Sequence, residues 1–315
     1  FSAGWGQFLP FFIKDGVEVV NDAKGGRSSR LFINEGRFDN IEKNISAGDY
    51  LLIEFCHNDD ASKEYKTMFN RLTPLGEPDS DGRFPIIPGE AMPKDYIPPE
   101  YIDALRKDEN VKDKQAVLDS VYKILESYPH DTYYPYSADG SKGTYLWFLK
   151  QFVDMAREKG AVPVFVTAPA RTVYDANGNI KDGAGLHGGN NFAYIRAMKQ
   201  LGEEAKVPVI DLFAYSCGLY KQIGKEKIHW ITSIKKGCNK GIWPDDFNSE
   251  MQKKETVSED THFNKYGAML ITQGLVKLIK ESDSSQLDGL KGMLKNPDGI
   301  DIEKYVKKPL VFEEF

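Results

Sequence analysis

The sequence predicts an α/β protein, because short segments typical of buried strands alternate with amphipathic helical segments. The strand candidates are Tyr50 to Phe55, Val162 to Val166 and Val207 to Leu212, all rich in β-branched or aromatic residues. Helical periodicity runs over Tyr145 to Lys159 and over Tyr194 to Ala205. Strands that read as continuous apolar runs, joined by helices, indicate a parallel sheet covered on its faces.

Three further elements are predicted outside this alternation. Val17 to Val20 has the composition of another buried strand near the beginning of the chain. The last amphipathic helix, Lys265 to Lys280, follows a turn that holds His262 and takes Asn264 as its N-cap.

The segment from about Asp60 to Gly143 breaks the pattern, since it contains nine prolines and few periodic stretches. We interpret it as an insertion of loops that borders a site, with one helix at about Lys114 to Ser127. The predicted organisation is a main domain over residues 1–282 with this insertion at about 60–143, and a polar C-terminal tail over 283–315. Within the tail, Leu310-Val311-Phe312 is a candidate edge strand or a surface segment.

Composition and charge exclude several classes of partner and cofactor. The 315 residues carry 41 basic and 47 acidic side chains, a net charge of −6, so a nucleic-acid or anionic-membrane surface is not expected. The apolar run needed for a membrane-spanning helix is absent from the sequence. Three cysteines without a CxxC pair predict neither a disulfide framework nor a structural zinc site.

Polar residues cluster just after the predicted strands, where parallel sheets bind their ligands. A glycine pair, Gly25-Gly26, lies in the loop after the first strand, and its backbone N–H groups are available as donors. The loop after the second strand is Cys56-His57-Asn58-Asp59, in which Asn58 is either an uncharged donor or an ordinary turn residue. Contiguous residues seldom converge on one ion, so we expect no metal there.

Four blocks of the sequence, taken together, resemble a known family. FSAGWGQFLP, NDAKGGRSSR with EGRFDNI, AGDYLLIEFCHND and EDTHFNKYGA stand in the order found in the SGNH (GDSL-type) hydrolases. The closest resemblance is to rhamnogalacturonan acetylesterases and related polysaccharide deacetylases. It covers roughly residues 1–59 and 144–282. The resemblance implies a three-layer α/β/α sandwich with a flavodoxin-like parallel sheet, no cofactor, and ester hydrolysis through a Ser-His-acid triad.

The resemblance also implies roles for individual residues. Gly26 and Asn58 match two oxyanion-hole positions of the family, and His262 matches its catalytic histidine. These groups suit the chemistry, because a glycine N–H and a carboxamide stabilise an oxyanion without a competing charge. An imidazole can take the serine proton and return it to the leaving alcohol.

The sequence departs from the family pattern at the triad acid and before Asn58. The family spaces Asp-x-x-His, whereas Glu259 stands three residues before His262 and Asp260 stands two before it. Glu259 is favoured as the triad acid and Asp260 is the alternative. Cys56 stands where the family has glycine, and we interpret it as a packing substitution and not as a nucleophile.

A third departure is the absence of Gly-Asp-Ser, the family's nucleophile block, from the whole sequence. In the family this block ends a central strand shortly before the motif that is Gly4-Trp5-Gly6 here. We therefore expect the natural protein to have a strand and a serine before Phe1. Ser28 and Ser29 are the nearest hydroxyls, and neither is favoured as the nucleophile.

The resemblance predicts an esterase that removes O-acetyl groups from a plant polysaccharide of the rhamnogalacturonan, xylan or mannan type. Candidate substrate contacts are His187, Trp243 and Arg27, each of which has an ordinary loop, core or ion-pair role as its alternative. Two other functions stay open. One is hydrolysis of small acyl esters or lysophospholipids, and the other is carbohydrate binding without catalysis.

Overall fold

The structure is a computed structural model that describes residues 3–60, 64–181, 191–234 and 258–306. The chain forms two compact units, each described here by itself. The first unit comprises Phe1–Ala23, Pro169–Asp182 and Ile210–Phe315. The second unit comprises Lys24–Ala168 and Gly183–Val209.

The described helices and strands are numbered in chain order. The helices are α1 Trp5–Phe8, α2 Ser29–Asn34, α3 Arg37–Asn44, α4 Tyr65–Arg71, α5 Pro99–Lys107, α6 Lys114–Glu126, α7 Tyr145–Glu158, α8 Asn191–Ala205, α9 Leu212–Ile223, α10 Lys265–Glu281 and α11 Asp288–Met293. The strands are β1 Tyr50–Ile53, β2 Met92–Pro93, β3 Thr132–Tyr133, β4 Val162–Val166, β5 Val209–Ile210, β6 Thr232–Ile234 and β7 Ser258–Phe263.

The main sheet of the second unit has the order β1-β4-β5. Strands β1 and β4 are parallel, with Tyr50 opposite Val162 and Ile53 opposite Phe165. The backbone N–H of Phe165 donates to the carbonyl of Pro208 at 2.9 Å, just before β5. The three strands predicted after residue 49 are therefore confirmed, each at or inside its predicted range.

Helix α7 supplies the apolar layer against this sheet. Its buried residues recur at helical spacing and include Leu149, Phe152 and Val153. The ring of Phe152 packs against Phe32 and Phe55, with ring centroids 6.0 and 5.3 Å away. This packing fixes α2 and the carboxyl end of β1, the two places from which the polar loops of this unit emerge.

The insertion forms an apolar cluster within the second unit, which also includes Leu31 of α2. Tyr101 of α5 is fully buried there and contacts Phe69 of α4 edge to face, with centroids 5.0 Å apart. The predicted helix at 114–127 is confirmed as α6, whereas α4 and α5 were not predicted. Both helices are short, with seven and nine residues, and their stability comes from this shared core.

Helix α10 is the longest described helix of the first unit and confirms the predicted final helix. The Asn264 side chain accepts a hydrogen bond from Gly267 N–H at 2.8 Å, which is the predicted N-cap. The residues before it differ from the prediction. His262 lies in strand β7 and not in a turn, because β7 pairs antiparallel with β6, placing Phe263 opposite Thr232.

The strand predicted at Val17 to Val20 is wrong. These residues have no strand assignment, and Val17 and Val20 are 36% and 67% exposed. A strand requires a neighbour to satisfy its backbone N–H and C=O groups. Within the described part of the first unit, the segment has no such neighbour.

The predicted tail is partly regular. Helix α11 and short 3₁₀ turns occupy residues 285–304, and Leu290 and Leu294 are buried. The proposed edge segment, Leu310-Val311-Phe312, lies outside the described residues. Across the described ranges, none of the helices combines the length and apolar character that crossing a bilayer requires.

We expect Gly267→Ala to destabilise the first unit strongly. A Cβ at this buried helical position would lie 2.1 Å from the backbone oxygen of Ile231, and backbone cannot move aside cheaply. The expected loss is about 2–3 kcal/mol in the free energy of unfolding, measured by urea titration. The matched control is Gly218→Ala in α9, where a Cβ meets nothing within 4 Å, and a gain of about 0.5–1 kcal/mol is expected. Equal effects of the two substitutions would contradict this packing.

Candidate active site

Gly26 lies in the loop that leads into α2. Its φ of 79° is in the left-handed region that favours glycine. The next turn is fixed by Ser28, whose hydroxyl accepts the Leu31 N–H at 3.2 Å as the N-cap of α2. Among the described residues the Gly26 N–H forms no hydrogen bond, so it is available as a donor.

Asn58 follows β1, and both Asn58 and Gly26 lie close to the side chain of Arg71, at the end of α4. Its Nη1 lies 3.4 Å from Asn58 Oδ1, and its Nη2 lies 3.2 Å from the position of a Cβ built on Gly26. Because the cation lies on the carbonyl side of the Asn58 amide, the Nδ2 hydrogens are directed elsewhere. Nδ2 forms no hydrogen bond within the described ranges.

The Asp59 side chain links the loop that contains Asn58 to the start of α2. Its Oδ1 accepts the Ser29 N–H at 2.9 Å and the Ser29 hydroxyl at 2.5 Å, and both residues are fully buried. Its backbone carbonyl accepts Tyr194 O–H and Thr73 N–H, each at 3.0 Å. The predicted oxyanion positions thus belong to two loops that a buried carboxylate joins.

Burial raises the pKa of the Asp59 carboxyl to about 7, because desolvation outweighs the hydrogen bonds from Ser29 and Thr73 and the attraction of Arg30. Cys56 and Tyr194 also lie within its electrostatic reach. The carboxyl is therefore partly protonated at neutral pH. A protonated group still accepts the Ser29 hydrogen bonds, although more weakly.

Asp59→Asn should remove one component of the pH dependence of stability. In the folded chain this pKa lies above the unperturbed value of 3.8, so between these values the folded state binds more protons than the unfolded state. The favourable contribution of Asp59 to the free energy of unfolding is complete below about pH 4. It is lost, by about 1.4 kcal/mol per pH unit, as the pH rises to 7. Urea titrations from pH 4 to 8 should show this slope removed by Asp59→Asn and retained by Asp119→Asn, at an exposed position. Parallel pH profiles for wild type and Asp59→Asn would contradict it.

His262, on β7 of the first unit, is exposed, while the adjacent Phe263 is buried. The hydroxyl of its other neighbour, Thr261, accepts the Nε–H of Arg171 at 3.1 Å. The pairing of Phe263 with β6 and the contact between Thr261 and Arg171 fix the backbone on both sides of His262. The side chains of Glu259 and Asp260 are outside the described part of the structure, as are His187 and Trp243.

Three polar residues of the second unit have structural contacts. Arg27, a candidate substrate contact, forms a bidentate ion pair with Glu35 at 2.8 and 2.9 Å. Ser29 is held by Asp59, as described above. Cys56 is buried, and burial raises the pKa of its thiol well above the usual range, which opposes formation of a thiolate.

The sequence did not single out Asp59, Arg71 or Arg30 for the site. Arg30 is fully buried and donates to the carbonyls of Phe69 at 2.7 Å, Leu72 at 2.9 Å and Tyr134 at 2.9 Å. The only available signal was a charged residue directly beside a candidate block, as in Ser29-Arg30 and Asn58-Asp59. No spacing rule connects residue 71 with residues 26 and 58.

The chain is similar to several known proteins. Rhamnogalacturonan acetylesterase RhgT of Bacillus subtilis (strain 168) is 30% identical over 279 residues, which cover 89% of this chain and 81% of that protein. The probable rhamnogalacturonan acetylesterase YesY of the same organism is 28% identical over 281 residues, covering 89% and 84% of the two chains. No family model matches the chain.

A comparison with solved structures also supports the fold. The crystal structure of the Bacillus subtilis protein YxiM matches with a TM-score of 0.51 at 17% identity. The match covers 90% of this chain and 52% of that one, so this chain spans about half the length of YxiM. The predicted fold class, a three-layer α/β/α sandwich, is confirmed. By its identity to RhgT over most of both sequences, the chain belongs to the rhamnogalacturonan acetylesterase-like family of SGNH (GDSL-type) carboxylic ester hydrolases.

Proposed function

We propose that the protein removes O-acetyl groups from an acetylated plant polysaccharide by a Ser-His-acid mechanism. The observation that supports this most directly is the pair of donors in the second unit. Gly26 and Asn58 lie close to the same arginine, and neither the Gly26 N–H nor the Asn58 Nδ2 group forms a hydrogen bond among the described residues. Two neutral donors of this kind suit the oxyanion that develops when an ester carbonyl is attacked.

Each residue has a role in the proposed reaction. Gly26 and Asn58 stabilise the tetrahedral oxyanion, and His262 carries the proton from the serine hydroxyl to the leaving sugar alcohol. Glu259 orients the imidazole, with Asp260 as the alternative. Attack forms an acetyl-serine ester and releases the sugar hydroxyl, and water then cleaves this ester to acetate and free serine.

A carbohydrate-binding protein without catalysis is the second candidate, because the 315 residues contain no Gly-Asp-Ser. The test uses protein expressed from the complete coding sequence. We would measure acetate release from acetylated rhamnogalacturonan, xylan and mannan, and hydrolysis of p-nitrophenyl esters of increasing acyl length. Acetate release, with a preference for acetyl over longer chains, is expected. Binding of polysaccharide without release would support the second candidate, and a preference for long acyl chains would support a lipid esterase.

A further inference from the structure

Arg71 is held rigidly beside the two proposed oxyanion donors. The fully buried Arg30 binds the carbonyls of Phe69 and Leu72, on both sides of it along the chain. The Arg71 carbonyl itself accepts the Thr73 hydroxyl at 3.1 Å. The backbone of Arg71 is therefore fixed before any ligand arrives, which lowers the entropy lost on binding.

The charge of Arg71 has no close counter-ion among the described residues. Glu64 and Glu35 attract it from a distance, but neither forms an ion pair with it. Its neighbour Arg27 repels it, and Arg27 shares the Glu35 carboxylate with Arg37. Burial and the Arg27 cation lower the pKa of the Arg71 guanidinium. Its Nε is also buried, and no described residue offers it a hydrogen-bond acceptor.

This arrangement is unfavourable for the protein alone. A half-buried cation without a close counter-ion loses hydration, and here it gains in return only a long hydrogen bond to Asn58 Oδ1 and the attraction of two more distant carboxylates. A ligand that carries a carboxylate would replace the lost hydration and supply the missing counter-ion, because guanidinium and carboxylate form strong charge-assisted hydrogen bonds. The chain as a whole is acidic, so the local positive charge does not reflect a generally basic surface.

We propose that Arg71 binds a carboxylate group of the substrate next to the acetyl ester, and so makes the enzyme selective for acetylated polysaccharides that contain acidic sugars. This inference rests on the proposed function and deepens it. Of the three backbone types considered from the sequence, it favours the rhamnogalacturonan type, whose backbone contains a uronic acid, over the xylan and mannan types, whose backbones are neutral. Arg71 belongs to the insertion and lies outside the four sequence blocks that carry the family resemblance. The selectivity would therefore come from a residue outside those blocks.

The test compares two substrates that differ only in charge. One is an acetylated galacturonic-acid oligosaccharide with free carboxylates, and the other is the same oligosaccharide with its carboxylates methyl-esterified. For Arg71→Gln we expect KM to rise roughly 10- to 100-fold more for the free acid than for the methyl ester. Arg71→Lys should be intermediate, since it keeps the charge but loses the planar two-pronged geometry.

Arg106→Gln is the matched control, because Arg106 is a strongly exposed arginine of the same insertion. It should leave KM for both substrates unchanged. A measurement on wild type needs no variant: added salt should raise KM for the free acid and not for the methyl ester. Equal losses on both substrates in Arg71→Gln, or a salt effect that is the same for both, would overturn the carboxylate assignment.

Failure of the proposed function would look different. If wild type released no acetate from either oligosaccharide and did not hydrolyse p-nitrophenyl acetate, the esterase proposal would fail. If wild type hydrolysed all three substrates but Arg71→Gln changed KM equally for the two oligosaccharides, only the role proposed for Arg71 would be wrong.

Discussion

His262→Ala should lower kcat for acetate release by at least about 10³-fold, the largest effect that we expect of any single substitution. Without the imidazole, no group takes the proton from the nucleophile or returns it to the leaving alcohol, and general acid–base catalysis of this kind contributes up to about 10⁴-fold. KM should change little, because in the proposed mechanism His262 acts on the reacting atoms and not on the remote parts of the substrate. The measurement is steady-state acetate release from the preferred polysaccharide.

His130→Ala is the control for this substitution. His130 is an exposed histidine of the insertion, paired with Asp39 at 2.5 Å, and its loss should leave kcat unchanged. Circular dichroism would confirm that both variants fold. A His262→Ala enzyme with more than a tenth of the wild-type kcat would remove His262 from the mechanism.

The triad acid can be assigned in the same assay. Glu259→Gln and Asp260→Asn each remove one charge while keeping the size of the side chain. We expect the larger loss of kcat from Glu259→Gln, because Glu259 stands three residues before His262, at the spacing of the family's triad acid. An amide at that position cannot stabilise the imidazolium as a carboxylate does. A larger loss from Asp260→Asn would make Asp260 the triad acid and leave the role of His262 intact.

The parts of the fold that were predicted correctly depend on local pattern. Strand β4 is a continuous apolar run, and helices α7 and α10 have a full apolar stripe with clear ends. Local pattern was insufficient at Val17 to Val20, where the residues suit a strand but have no described partner. The same reason applies to His262, since its strand depends on pairing with residues about thirty positions earlier.

The site shows the same division between local and distant information. The positive φ of Gly26 and the position of Asn58 after β1 follow from short motifs. The contacts that surround Gly26 and Asn58 cannot be predicted from such motifs. Asp59 reaches Ser29 thirty residues away, and Arg71 reaches Asn58 from α4, a helix that packs into the apolar cluster of the insertion. Side chains that act across such separations become visible only in the folded chain.

Asn58→Ala should lower kcat by about 10²- to 10³-fold, or roughly 3 kcal/mol of barrier, with little change in KM. The oxyanion exists in the transition state and not in the bound ester, so losing its donor affects the chemical step more than binding. Asn44→Ala, at the exposed end of α3, is the control and should have no effect on kcat.

Asn58→Asp separates the catalytic role of Asn58 from a structural one. The new carboxylate would lie close to the Arg71 guanidinium, which is 3.4 Å from Oδ1 in the wild type, so the folded state should be at least as stable. Activity should nevertheless fall at least as far as in Asn58→Ala, because a carboxylate repels the developing oxyanion and offers it no hydrogen-bond donor. If Asn58→Asp kept wild-type kcat, then Asn58 would be a turn residue, and the oxyanion would have to be stabilised by other groups.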